Sequence, residues 1–70
     1  MGESTAMIRI SLVSARVNAG LTQEMAAKSL GVTVPTLIGW EKGIREPKIS
    51  QAKKISDLYK IPLDNIFFGR

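Results

Sequence analysis

The sequence predicts an all-α fold for this chain. Apolar residues recur with helical spacing in four segments; each follows a capping residue or a proline, and three end at a glycine. Strand signals are weak, because the one alternating run, residues 7–10, is brief and no Asn-Gly or Asp-Gly turn occurs. With 70 residues, the chain forms one domain near the lower size limit for folding without disulfides or metals.

The first predicted helix starts after Ser11, which can cap it, and ends at Gly20. Its inward stripe, spaced i, i+3, i+4, i+7, consists of Leu12, Ala15, Arg16 and Ala19. The second helix runs from an N-cap at Thr22 to Leu30 and ends at Gly31.

The third predicted helix runs from an N-cap at Thr33 to Gly43, and Pro35 lies in its first turn, where a missing N–H costs nothing. At 100° per residue, its inward face consists of Leu37, Trp40 and Ile44, and its outer face of Pro35, Ile38, Gly39 and Lys42.

A fourth helix follows Pro47, with one apolar stripe made of Ile49, Ala52, Ile55 and Tyr59. A short fifth helix, residues 63–67, is predicted to close the core with Ile66 and Phe67 inward. The predicted domain spans residues 8–68. Residues 1–7 are interpreted as a flexible leader or cloning remnant, and residues 69–70 as a tail.

Composition excludes several kinds of site. The chain has no cysteine or histidine, so disulfides and Cys/His zinc sites are impossible, and it has no run of alternating acids to bind calcium. We therefore expect no metal and no cofactor. An enzyme is also rejected, because no acid/base pair or activated nucleophile can be proposed. The sequence has no signal peptide or apolar run long enough to span a membrane, so we expect a cytoplasmic protein.

The charge balance is basic, with 10 Lys and Arg against 6 Asp and Glu. A net charge of +4 suits a polyanion binder, but it also suits simple solubility. The distribution of the charge is more informative than its sum, because five cations and only one acid, Glu46, lie within residues 42–54. The cations are Lys42, Arg45, Lys48, Lys53 and Lys54.

The second and third helices are joined by a short glycine-containing turn, which is typical of a helix-turn-helix motif. A small residue, Ala27, lies where the two helices must touch, and Gly31 can adopt the positive φ of the corner. Leu37 and Trp40, three residues apart, would anchor the third helix in the core. The alternative is an ordinary αα-hairpin within a helical bundle.

The chain resembles the Cro and phage-repressor (XRE-like) family of helix-turn-helix domains over residues 10–67. The matching segments are AR..AGLTQ (15–23), A...LGV (27–32), TL..WEKG (36–43), Pro47 and LDNIF (63–67). The resemblance implies a compact five-helix, lambda-repressor-like domain. It also implies a sequence-specific transcriptional regulator, phage-derived or not, that binds operator DNA as a homodimer with its third helix, about residues 34–42, in the major groove.

The same resemblance assigns roles to individual residues. Gln23 would contact a phosphate at the N-terminus of the second helix, where free N–H groups favour an anion. Thr33 would lie beside the DNA backbone. The positions that face base edges in the family are Val34, Pro35, Thr36 and Gly39. The cations expected to bind flanking phosphates are Lys42, Arg45 and Lys48, for which a solvated surface is the alternative.

Arg16 and Glu41 occupy positions that form a structural ion pair in the family, linking the first helix to the end of the third. We expect the pair to be buried. In that case loss of one partner costs about 3–5 kcal/mol, whereas an exposed pair contributes roughly 0–1 kcal/mol.

The outer face of the third helix lacks Arg, Gln or Asn, the side chains that read bases through paired hydrogen bonds. Two functions remain open. This face reads DNA shape and thymine methyl groups, with most affinity from phosphates. Alternatively, it docks on another protein, such as a second repressor, and the domain is an interaction module or anti-repressor.

Overall fold

A computed structural model describes residues 10–68, with the side chain of Phe67 excepted. The order of elements is β1 (Ile10–Ser11), α1 (Leu12–Asn18), α2 (Gln23–Leu30), α3 (Val34–Lys42) and α4 (Ile49–Tyr59), then a 3-10 turn (Leu63–Asn65) and β2 (Ile66–Phe67). The predicted leader, residues 8–9 of the predicted domain and the tail lie outside the described residues.

The first three helices begin at the predicted hydroxyl caps. Ser11 Oγ accepts the backbone N–H of Ser14 at 3.0 Å, and Thr22 Oγ1 accepts that of Met25 at 3.1 Å. Thr33 Oγ1 accepts the N–H of Thr36 at 3.3 Å. Each cap satisfies one of the donors that a helix leaves free in its first turn.

The core lies where α1, α2, α3 and α4 meet. Its members include the predicted Leu12, Ala15, Ala27, Leu37, Trp40, Ala52, Ile55 and Tyr59. Ile49 is the exception to the predicted stripe of α4, since its side chain is 75% exposed. It is the first residue of α4.

The predicted fifth helix is wrong. Residues 63–65 form a single 3-10 turn, after which Ile66 and Phe67 are extended and pair in parallel with Ile10 and Ser11. Five residues are too few to repay helix nucleation, and a β-branched residue followed by an aromatic one favours a strand. Within residues 10–68 the fold thus has four α-helices and a minimal two-stranded sheet.

Ile66 is buried, as predicted, while the prediction for the Phe67 side chain falls outside what is described. No helix within residues 10–68 is long and apolar enough to cross a membrane.

Candidate nucleic-acid interface

The corner between α2 and α3 is built by backbone hydrogen bonds around Gly31. Gly31 has φ +74°; its N–H donates to Lys28 O at 3.2 Å, and the N–H of Val32 donates to Ala27 O at 3.0 Å. A Cβ at Gly31 would meet nothing within 4 Å, so glycine is needed for its left-handed backbone alone. Val32 then packs back against the core and fixes the direction in which the chain enters α3.

The inward side of α3 is held by Leu37 and Trp40, which are both buried against the rest of the core, as predicted. Val34 also packs against this core and is only partly exposed. Val34 lies one helical turn before Leu37, so it shares the inward side. Val34, which the resemblance has facing base edges, therefore lies partly on the inward side of α3.

Glu41 joins three helices. Its Oε2 lies 2.7 Å from Arg16 Nε on α1, and its Oε1 accepts a hydrogen bond of 3.0 Å from Gln23 Nε2 on α2. Arg16 Nη1 also donates to Leu21 O at 3.0 Å. The side chains of Arg16 and Glu41 are 12% and 4% exposed, so the pair is nearly buried. Each oxygen of a buried carboxylate needs a donor, and this requirement accounts for the orientation of Gln23.

The bond from Gln23 to Glu41 was not foreseen from the sequence. It occupies one N–H of the amide that the resemblance assigns to a phosphate. The first residue of α2 still presents its backbone N–H at the positive end of the helix dipole, which favours an anion there.

Tyr59 lies in the electrostatic field of the same ion pair. The pKa of Tyr59 is raised to about 12, chiefly by burial and also by the negative charge of Glu41, while the positive charge of Arg16 opposes both. Its hydroxyl is buried and has no hydrogen-bond partner among residues 10–68. The Tyr59 hydroxyl therefore lies in low-dielectric surroundings, where electrostatic interactions are strong.

The outer side of α3 is only partly open. Pro35 and Lys42 are exposed, and Ile38 is half-buried. The Thr36 hydroxyl lies 2.9 Å from the hydroxyl of Thr33 in a shared hydrogen bond.

Gly39, which the resemblance has facing base edges, is covered by another side chain. It faces outward, yet it is buried, because the Arg45 side chain lies across it. A Cβ built at Gly39 would be 3.2 Å from Arg45 Cδ and 3.3 Å from Cγ. The sequence could not show this, because the covering side chain comes from beyond the end of the helix.

The loop after α3 carries two of the three predicted cations, Arg45 and Lys48. Gly43 ends the helix with φ +77°, and the chain doubles back so that Arg45 and Lys48 are exposed near the start of α4. Ile44, predicted to lie inward, is 73% exposed instead. It follows the left-handed glycine and so is no longer in phase with the helical stripe.

The predicted interface residues thus occupy α3 and the helix ends that flank it. Thr33, Pro35, Thr36 and Lys42 lie on or next to the outer side of α3, and Arg45 reaches over it. Lys48 is the N-cap residue of α4, and its N–H donates to Gln51 Oε1 at 2.8 Å. The first turn of α4 contains no acid, so its positive dipole end adds to the positive charge of Lys48.

Comparisons with known proteins agree with this geometry. A helix-turn-helix family model matches residues 12–66. An uncharacterized HTH-type transcriptional regulator of Methanocaldococcus jannaschii is 43% identical over 47 residues, which cover 67% of this chain and 71% of that protein. The cryptic phage CTXphi transcriptional repressor RstR of Vibrio cholerae is 35% identical over 48 residues, which are 69% of this chain and 43% of that repressor.

No solved structure gives a significant match. The family model covers most of the chain and spans all four α-helices, including the corner at Gly31. The chain therefore belongs to the XRE-like helix-turn-helix family of DNA-binding transcriptional regulators.

Proposed function

We propose that this chain regulates transcription by placing the outer side of α3 in the major groove of operator DNA. The observation that carries the proposal is the opposed environment of the two sides of α3. Leu37, Trp40 and Glu41 are buried, whereas Pro35 and Lys42 are exposed. An α-helix held this way can enter a groove about 12 Å wide without breaking its own packing.

Phosphates supply most of the affinity in this proposal. Lys42 and Lys48 lie at the ends of α3 and α4 that border the loop, and both are exposed. The backbone N–H at the start of α2 gives a third anchor. Such contacts fix the orientation of the domain on the duplex without reading its sequence.

Apolar contacts supply part of the sequence preference. Pro35 and Ile38 offer carbon atoms to thymine methyl groups, and the partly buried Val34 contributes what it leaves exposed. A lone domain of this size makes few base contacts, so useful affinity needs two copies on half-sites about 34–36 Å apart. The C-terminal residues offer little apolar surface for a dimer, because Ile66 is buried and Phe68 packs against the core.

The test is titration of duplex DNA, selected from a random pool, at several salt concentrations. Lys42→Ala and Lys48→Ala should each weaken binding to all sequences and lower the slope of log K against log salt by about 0.9. The matched control is Lys60→Gly. Lys60 lies at the opposite end of α4 from Lys48, about 18 Å away at 1.5 Å per residue, and glycine suits its φ of +58°.

A slope that neither variant changes would contradict the proposed phosphate contacts. Absence of any salt-sensitive duplex binding by the unmodified protein would contradict the DNA-binding function itself.

A second candidate is an interaction module that binds another regulator through the same face. The observation in its favour is that Pro35 and Ile38 on this face have no side-chain hydrogen-bonding group. Under this alternative, Ile38→Ser abolishes co-purification with a second repressor, and the unmodified protein shows no salt-sensitive binding to duplex DNA. Under the DNA-binding proposal, Ile38→Ser lowers affinity for selected duplexes while the salt slope stays the same.

A further inference from the structure

Arg45 is seated on the outer side of α3, although it belongs to the following loop. Its Cδ, Cγ and Cβ atoms lie 3.2, 3.3 and 3.6 Å from the position that a Cβ of residue 39 would occupy. These distances are too short for any side chain larger than hydrogen at that position without movement of Arg45. The aliphatic part of the Arg45 side chain, called here the Arg45 stem, therefore packs directly against Gly39.

Backbone hydrogen bonds also fix the position of Arg45 relative to Gly39. The N–H groups of Ile44 and Arg45 both donate to the carbonyl oxygen of Gly39, at 2.9 and 3.2 Å. The left-handed turn at Gly43 brings the chain back over the last turns of α3. The backbone and the Cδ atom of Arg45 thus both lie close to Gly39, on the outer side of α3.

The guanidinium at the end of this stem is available. Arg45 is exposed, and among residues 10–68 its side chain makes no ion pair or hydrogen bond, even though Glu46 is its neighbour in the chain. The outer side of α3 has no guanidinium or amide of its own; its polar side chains are Lys42, a single ammonium at the end of the helix, and Thr36, whose hydroxyl is shared with Thr33.

We propose that Arg45 reads a guanine in the major groove and so provides the paired hydrogen bonds that α3 lacks. The guanidinium presents two parallel N–H donors that match O6 and N7 of guanine. A stem already laid on α3 loses less side-chain freedom on binding than a free arginine does. This inference rests on the proposed function, and it replaces the phosphate contact that the sequence suggests for Arg45.

The experiment starts from duplexes that the intact protein selects from a random pool. The selected half-site is expected to contain one guanine whose replacement by 7-deazaguanine, which lacks N7 but pairs normally, weakens binding about tenfold. Arg45→Ala should bind both duplexes with equal affinity. Lys48→Ala, the matched loss of a cation, should keep the tenfold difference.

Gly39→Ala gives an independent test that does not remove the guanidinium. The added methyl group should displace the Arg45 stem and reduce the discrimination against 7-deazaguanine, while the thermal midpoint stays equal or rises because alanine favours the helix. An unchanged discrimination in either Arg45→Ala or Gly39→Ala would overturn the inference. So would a uniform loss for Arg45→Ala on all duplexes with a reduced salt slope, since that result identifies a phosphate contact.

The results that would overturn the role of Arg45 do not contradict the proposed DNA-binding function. If the intact protein selects no duplex and shows no salt-sensitive binding, the proposed function itself fails, and the role of Arg45 fails with it.

Discussion

At the scale of single residues, Glu41 determines the orientation of α3. Its two oxygens accept donors from Arg16 on α1 and Gln23 on α2, so the end of α3 is tied to both preceding helices. A buried ion pair adds little net stability over an apolar replacement, because both of its members must be desolvated. Removing one member leaves a charge with no partner in a buried setting.

Arg16→Ala should therefore destabilise the fold by about 3–5 kcal/mol, with a large fall in the thermal midpoint. The check is thermal unfolding followed by circular dichroism. Lys28→Ala is a suitable control, since Lys28 is exposed and makes no ion pair among residues 10–68; its cost should stay within about 0.5 kcal/mol. Equal midpoints for the two variants would contradict the description of a buried pair.

In contrast to Arg16→Ala, Tyr59→Phe should not lower the free energy of unfolding at neutral pH. The Tyr59 hydroxyl is buried without a hydrogen-bond partner among residues 10–68, so its removal should leave stability unchanged or increase it by about 1 kcal/mol. A clear loss of stability at pH 7 would mean that the hydroxyl is bonded after all.

The raised pKa of Tyr59 also predicts a pH dependence. Between pH 10 and about 12 the unfolded chain ionises this tyrosine while the folded chain does not, so ionisation favours unfolding as pH rises. The stability of the unmodified protein should fall more steeply in this window than that of Tyr59→Phe, by on the order of 1 kcal/mol per pH unit. Parallel pH profiles from denaturant titrations would contradict the raised pKa.

At the scale of elements, a left-handed turn at glycine ends α1, α2 and α3, but the apolar residue that follows the glycine differs in its contacts. Leu21 and Val32, which follow Gly20 and Gly31, pack against the core, whereas Ile44, after Gly43, is 73% exposed. In such turns the residue after the glycine usually contacts the helix it leaves. The loop after α3 is therefore held by backbone hydrogen bonds and by the seating of Arg45 on Gly39, without an apolar anchor.

Ile44→Ser should consequently change the free energy of unfolding by less than about 0.5 kcal/mol. Val32→Ser, at the equivalent place in the corner between α2 and α3, should cost about 1–2 kcal/mol because it removes packed apolar surface. Denaturant unfolding of the two variants gives the comparison. Equal costs would show that the two turns are anchored alike.

The elements that could be predicted from the sequence are those with local causes. The hydroxyl caps, the left-handed glycines and the spacing of Leu37 and Trp40 define the corner and the inward side of α3, and all are confirmed. The fifth helix was wrong because Ile66 pairs with Ile10, from the other end of the domain. The cover over Gly39 depends likewise on a side chain from another element, which helical periodicity does not describe.

At the scale of the whole molecule, buried and exposed polar groups have separate tasks. The buried cluster around Glu41 ties α3 to α1 and α2, and the exposed cations Lys42, Arg45 and Lys48 lie at the end of α3 and in the loop that follows, with no ion pair among the described residues. The excess of cations over acids is thus concentrated beside α3. DNA that binds on this side would contact a helix that fits the major groove and cations that neutralise its phosphates.

The most direct measurement is the mapping of backbone amide chemical shifts when a selected duplex is added to the isotope-labelled protein. The account predicts that the largest changes fall on Gln23, on residues 33–42 and on Arg45 and Lys48, while α1 and the β1–β2 pair stay nearly unchanged. Changes centred on the C-terminal half of α4 or on the strands, with residues 33–42 unaffected, would contradict the claim that α3 meets DNA.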